Sequence, residues 1–331
     1  MPFEFSEEQL ALQTAIRGAL SEKLSSEYLH KRFNSPVAED AAIWKIYSDL
    51  GLAEYFSSPE AKFSDLALIA LESGRALNPE PFVDTLLAGP YFWSKVTSKV
   101  DQASSEKKFG SNLSQSISAI AATAQLRFVP ARPSATLLLF PTDTGMSLAS
   151  LAGSTRTEEA ALDRLRYQQR INLKPDSSVS LSPETSTNLR NMVSVLRAAE
   201  LTGICEAVVA RTVDYVKTRK QFDQPIGSFQ AVQHKLADMH LDAESVSALV
   251  SFAAWAADYS KDQFALASSS ALAHALEVAP RVVETAIQLH GGIGFTWEFD
   301  LHLYLRRVRA YSALYTLNQA DFDQLLQLIS A

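Results

Sequence analysis

The chain has 331 residues, 47% of them hydrophobic and 20% charged, with a formal net charge of −7. That length suits one large domain, or two to three subdomains around a shared core. The acidic balance speaks against the basic face that nucleic-acid binding uses, and no run of about 20 apolar residues is present to span a membrane as a helix.

Cysteine usage and the N-terminus narrow the setting. A lone cysteine, Cys205, cannot form an intramolecular disulfide and fits a reducing compartment. It lies in a helical stretch and reads as a small buried hydrophobe rather than a nucleophile. The opening MPFEFSEEQL is acidic and lacks a basic segment followed by an apolar run. No signal peptide and a cytoplasmic location are therefore expected.

Residues 1–105 read as a helical domain. Ser6-Glu-Glu is a helix start, and Leu10, Leu12, Ile16, Leu20 and Leu24 follow at near-helical spacing. A second helix runs through Ala41–Leu50 and ends at Gly51, a natural C′ position. A third covers Ser64–Ala76 and is stopped by Pro79 and Pro81.

Residues 106–184 change character. Strand-like runs are expected at Ile117–Ala124, Ala135–Pro141, Met146–Leu151, Tyr167–Leu173 and Val179–Leu181, punctuated by Gly, Pro, Asp and Ser. They read as a small middle β domain. Residues 185–331 return to long helices. Val232, Leu236, Met239, Ala243, Val246 and Val250 are spaced as the seam of a bundled helix. A further helix covers Gln263–Ala279, and Arg281–Leu289 continues it past Pro280. The fold class is thus α+β: helical, then β, then a C-terminal four-helix bundle.

Two blocks carry residues that a helix alone does not need. In Arg219-Lys-Gln221-Phe222, Arg219 offers a planar, permanent cation suited to a pyrophosphate and Phe222 a flat face for an aromatic ring. Pro225 and Gly227 force a turn after it. Read alone, an Arg here equally serves the helix dipole. The second block, Gln288-Leu-His290-Gly291-Gly292-Ile-Gly294, permits positive φ and close approach of backbone amides to a ligand. Read alone, it is also an ordinary glycine cap and turn. No strand precedes it, so it is not a dinucleotide-binding Gly-x-Gly-x-x-Gly element.

Both blocks, in this order and with Phe229-Gln230-Ala-Val-Gln233 between them, resemble the C-terminal half of the acyl-CoA dehydrogenase family. The N-terminal Phe5-Ser-Glu-Glu-Gln-Leu and Asp49-Leu-Gly-Leu fit the family's opening. The resemblance implies FAD at a subunit interface, gripped at its adenosine diphosphate end by Arg219, Gln221, Phe222, Gln230, Gln288, Gly291 and Gly292. Asp223 departs from the family's usual Gly and brings a carboxylate toward the phosphates.

The same resemblance implies what is missing. The family abstracts a proton α to a thioester carbonyl with a carboxylate of tuned pKa. Tyr315 occupies one of the family's Glu positions, and a phenol of pKa about 10 is a poor base at neutral pH. Val193 occupies the alternative position and cannot act. Glu200 and Glu206, on the same helix, read as surface carboxylates in other registers. No Trp lies between Trp93 and Trp255, and no Thr-Glu-Pro segment is present, so the elements that cradle the family's flavin ring are not recognisable. No histidine spacing suggests a metal site; His234 and His240 do not share a helical face.

Three readings follow. In the first, the chain is a non-catalytic subunit of a two-plus-two heterotetramer whose homologous partner supplies the base and binds the acyl-CoA, a bulky steroid side-chain thioester. In the second, it is an active homo-oligomer using Glu298 or Asp300. In the third, it is a flavin-free pseudoenzyme that acts as an interaction protein.

Overall fold

The computed structural model describes residues 5–95, 99–111, 113, 118–297 and 299–315. Twelve α-helices and eight strands are present among them. They group into two compact units that interleave along the chain. One takes in the described residues up to Ser26, then Ala67–Leu77, then the described residues from Ser194 onward. The other takes in Glu27–Leu66 and Asn78–Val193.

In the first unit, α1 (Glu7–Lys23) starts where the sequence places it. The Ser6 hydroxyl accepts from the Gln9 amide and the Gln9 side chain accepts from the Ser6 amide, a closed capping box. Ile16, Leu20 and Leu24 are buried, but Leu10 is 48% exposed, so the buried stripe begins one turn later than its spacing suggests.

The second unit holds α2 (Ser26–Asn34), α3 (Ala41–Asp49), α4 (Leu52–Phe56), α6 (Phe82–Leu86), α7 (Phe92–Lys95) and α8 (Lys99–Phe109). Gly51 takes φ +60° and turns the chain between α3 and α4. A π-helical turn at Leu87–Tyr91 accommodates Pro90 and joins α6 to α7. The helices between residues 82 and 109 are not evident from apolar spacing. Every residue of α6 and of the π turn is buried, so no polar face marks the period.

The strands of this unit are β1 (Ser118–Ile120), β2 (Leu137–Thr142), β3 (Gly145–Ser150), β4 (Thr155–Glu158), β5 (Gln169–Asn172) and β6 (Ser178–Ser180). They form a four-stranded sheet in the order β1-β2-β3-β6 and a separate β4-β5 ribbon. β1 runs parallel to β2, and the other pairs are antiparallel. Five of the six coincide with the apolar runs of the sequence. β4 is missed because Thr155–Glu158 is polar and mostly exposed. Ala119, Leu126, Val129, Leu138, Leu151 and Ile171 form the sheet's core.

Helix α5 (Phe63–Arg75), α9 (Pro183–Thr218), α10 (Gln230–Tyr259), α11 (Lys261–His290) and α12 (Leu301–Leu314) complete the helices. α9 begins at a well-made cap. Asp101 accepts from the Ser182 amide at 2.9 Å and from the Thr185 hydroxyl at 2.6 Å, and Pro183 takes the first helical position. α10 and α11 form an antiparallel hairpin. Lys235 meets Gln288, Asp242 meets Arg281 and Ser245 meets His274, so the partner numbers fall as the first numbers rise. Met239, Ala243, Val246 and Val250 are buried as the seam predicts, while Val232 and Leu236 near the start are only half-buried. α11 runs unbroken through Pro280.

Within the first unit α5 and α9 cross at two glycines. A Cβ on Gly203 would lie 1.8 Å from the Leu71 carbonyl oxygen, and one on Gly74 would lie 1.9 Å from that of Glu200. Only glycine permits this approach, and it fixes the stretch of α9 that carries Arg197, Glu200 and Glu206.

Candidate functional site

α9 closes at Thr218, and the Arg219 amide still donates to Tyr215 O at 2.9 Å. Strands β7 (Lys220–Gln221) and β8 (Gln224–Pro225) then pair as a minimal hairpin. Its two central residues are Phe222 and Asp223, with φ of +53° and +63°. The turn is therefore made before Pro225 and Gly227, not by them. A two-residue hairpin of this kind asks for positive φ at both central positions, and Asp tolerates it far better than Phe. A bulky residue held in that region marks strain of the sort found at ligand clamps. The turn drives Phe222 into solvent at 86% exposure. Arg219, Gln221 and Gln230 are exposed beside it, Gln230 as the first residue of α10.

The second block caps α11. Gly291 takes φ +65°, and a 3-10 turn covers Gly291–Phe295. Gly291 and Gly292 have no heavy atom within 4 Å of where a Cβ would stand, so their backbone is open to a ligand. Gly294 is different: its absent Cβ would sit 2.9 Å from Ile287 O, so it is needed for packing. Gln288 is exposed, and its side-chain oxygen accepts from Lys235 Nζ at 2.7 Å.

An aromatic stack holds the two blocks together. His290 lies on Tyr215, one turn before Arg219, with ring centroids 4.1 Å apart, and meets Phe299 edge-on at 5.2 Å. The Tyr215 hydroxyl donates to His290 O at 3.3 Å. His290 Nδ1 faces Ala286 O at 2.8 Å, and burial lowers the ring's pKa. His290 is thus structural, which the sequence leaves open.

Val193 and Tyr315, which the family resemblance sets at its base positions, are both half-buried. Tyr315 Oη accepts from Arg197 Nε at 3.0 Å. Arg197 Nη1 also donates to Glu200 Oε2 at 2.8 Å, and the Tyr311 hydroxyl donates to the same oxygen at 2.5 Å. Arg197 and Glu200 have side chains 2% and 1% exposed. Glu200 is therefore not the surface carboxylate its helical position suggests. It sits on the inner face of α9 as the counter-ion of a buried cation. Glu206, also not a surface group, is half-buried and paired with Arg75. Burial raises its pKa, and Arg75 opposes the rise.

The other carboxylate proposed as a base, Asp300, is buried. It accepts from Arg211 Nη1 at 3.0 Å and from the Ser26 hydroxyl at 2.6 Å, at the start of α12. Glu298 lies outside the described residues. Cys205 is fully buried, which pushes its thiol pKa well up and leaves it inert. No cluster of metal-ligating side chains occurs among the described residues, and none of their helices is long and apolar enough to cross a membrane.

Sequence reasoning missed the Arg197 cluster. Its signal was there: a charged pair three residues apart within Val195-Leu-Arg-Ala-Ala-Glu-Leu201, a stretch otherwise apolar, and tyrosines four apart at the end of α12, Tyr311 and the cap residue Tyr315.

Comparisons with known proteins agree on the architecture. Residues 190–315 match the family model of the acyl-CoA dehydrogenase C-terminal domain. Over 319 residues the chain is 28% identical to acyl-CoA dehydrogenase IpdE2 of Mycobacterium tuberculosis, with 93% of each protein covered. The structure resembles that of the Tcur3481-Tcur3483 steroid ACAD with a TM-score of 0.83 at 23% identity, covering 98% of both chains. It resembles the ChsE4-ChsE5 complex of Mycobacterium tuberculosis with a TM-score of 0.84 at 19% identity, covering 100% of this chain and 99% of the other. The fold is the α+β acyl-CoA dehydrogenase fold, a class of oxidoreductases acting on CH–CH groups. The chain is similar to acyl-CoA dehydrogenases over 93% of its length, and its C-terminal part matches their C-terminal domain.

Proposed function

We propose that this chain is the non-catalytic subunit of a heteromeric, FAD-dependent acyl-CoA dehydrogenase. Its homologous partner supplies the carboxylate base and takes the acyl-CoA, a thioester of a bulky steroid side chain. The observation that carries the reading is the state of position 315. There a tyrosine, not a carboxylate, accepts a hydrogen bond from a buried arginine. The likeness to the ChsE4-ChsE5 complex supports the partner, and the likeness to the Tcur3481-Tcur3483 steroid ACAD supports the substrate class.

The residues present fit the adenosine diphosphate end of FAD. Gly291 and Gly292 leave open backbone, and the strained hairpin presents Phe222 and Arg219 to solvent. Arg219 would pair with the pyrophosphate through its planar fork. Phe222 would stack against an aromatic ring. Gln221, Gln230 and Gln288 would donate amide hydrogens. FAD supplies the hydride acceptor, so this chain's contribution is to hold and orient it for a reaction on the partner's side. Asp300 and Glu200, each already bound to an arginine, are poorly placed to serve as a free base here.

Co-expression with a full-length homologous acyl-CoA dehydrogenase tests the proposal. A yellow complex holding FAD and active on an acyl-CoA is expected. A colourless complex favours the pseudoenzyme instead.

A further inference from the structure

The cofactor grip makes no use of the Arg197 cluster, yet the cluster occupies the position where a base would stand. It includes Arg197 and Glu200 of α9, Tyr311 of α12 and Tyr315 at the cap of α12. It is built around a guanidinium that cannot lose its proton in a protein. The Arg197 guanidinium also lies 5.3 Å from the centre of the Tyr315 ring and 5.9 Å from that of Tyr311. The two rings meet edge-on at 5.6 Å. Glu200 is the carboxylate that pairs with Arg197, and the Tyr315 phenol accepts from the same guanidinium.

We propose that Arg197 is a positioning residue that fixes position 315 as a hydrogen-bond acceptor to a permanent cation. The function of position 315 is thereby converted from proton abstraction to joining α12 to α9. Restoring a carboxylate at 315 would not restore a base. Such a carboxylate would be engaged by Arg197 and held ionised, whereas a base must release that form to take up a proton. This inference rests on the reading of position 315 as the family's base position. Its physical content, the hold of Arg197 on whatever stands at 315, follows from the geometry alone.

One hydrogen-bond network among the described residues reaches 315. Arg197 is the donor and Glu200 its counter-ion, with the Tyr311 hydroxyl on the same Glu200 oxygen. A second carboxylate would feel attraction from Arg197 and repulsion from Glu200. The contribution of Arg197 is isolated by comparing variants that keep Glu200 throughout.

The experiment titrates the introduced carboxyl by infrared or carbon-13 NMR in the complex with its partner. Tyr315→Glu is compared with the double variant Arg197→Gln, Tyr315→Glu. The carboxyl is expected to titrate about 1–3 pH units lower when Arg197 is present. Equal values in the two variants would overturn the proposal. Should Tyr315→Glu fail to fold, the native complex gives a second readout: solvent exchange of the Arg197 Nε proton, followed by nitrogen-15 NMR. Exchange is expected to be slow in the native protein and fast in Tyr315→Phe, which keeps the ring and removes the acceptor. Fast exchange in both would likewise overturn it. Neither readout depends on flavin or turnover, so a failure here is separable from failure of the proposed subunit role, which flavin content decides.

Discussion

Arg197 is a buried cation that bonds both Glu200 and Tyr315. A buried ion pair contributes little net stability, because desolvation offsets the attraction, but breaking one is expensive. Arg197→Leu should therefore destabilise the protein by about 3–5 kcal/mol by stranding Glu200. Replacing Arg197 and Glu200 together with leucine should cost much less. Chemical denaturation of the single and double variants checks this; equal losses would show that packing, not charge, dominates. His290 gives a pH signature. Its pKa is lowered from 6.5 by burial, so the folded protein keeps the ring neutral where the unfolded chain would protonate it. The stabilisation is complete above 6.5 and is lost as pH falls from there through the folded-state pKa. The midpoint of thermal unfolding should fall over that interval, and His290→Phe should flatten the slope. An unchanged slope would place the titration elsewhere.

Elements make these residues possible. α9 reaches its neighbour α5 only because Gly74 and Gly203 leave room for the facing carbonyls. Gly203→Ala should cost at least about 1–3 kcal/mol, as overpacking does. Gly18→Ala, on an exposed face of α1 with nothing within 4 Å, should instead gain about 0.5–1 kcal/mol. A pair of melting curves distinguishes the two, and similar effects at both sites would refute the close crossing. The sequence made much of this scale legible. The capped start of α1, the seam of α10 and five strands follow from side-chain period and punctuation. The hairpin turn at Phe222-Asp223 did not, because a phenylalanine at positive φ defies turn statistics. β4 and α6 with its π turn did not either, the one too polar and the other too uniformly buried to show a period.

For the whole molecule, the two motif blocks carry the family resemblance, and the fold and the matched relatives agree with it. What single-sequence reading could not supply is which side of a helix a charge faces. Glu200 and Glu206 look alike in sequence, yet one is a fully buried counter-ion and the other is half-buried and pairs with Arg75. The proposed grip on FAD is likewise a property of the assembly. Arg219 ends a helix and is exposed, so Arg219→Ala should lower FAD retention in the complex while leaving the unfolding midpoint in place. Unchanged flavin content in that variant would count against the assignment.

In the proposed assembly this chain holds a cofactor whose reaction belongs to its partner. Flavin content and acyl-CoA dehydrogenation, measured on the chain alone and on its co-purified complex, test it most directly. The account predicts little bound FAD and no turnover for the chain alone. It predicts FAD and turnover for the complex, with activity abolished by removing the partner's glutamate and retained in Asp300→Asn of this chain if that variant folds. Stoichiometric FAD and dehydrogenation by this chain on its own would contradict it.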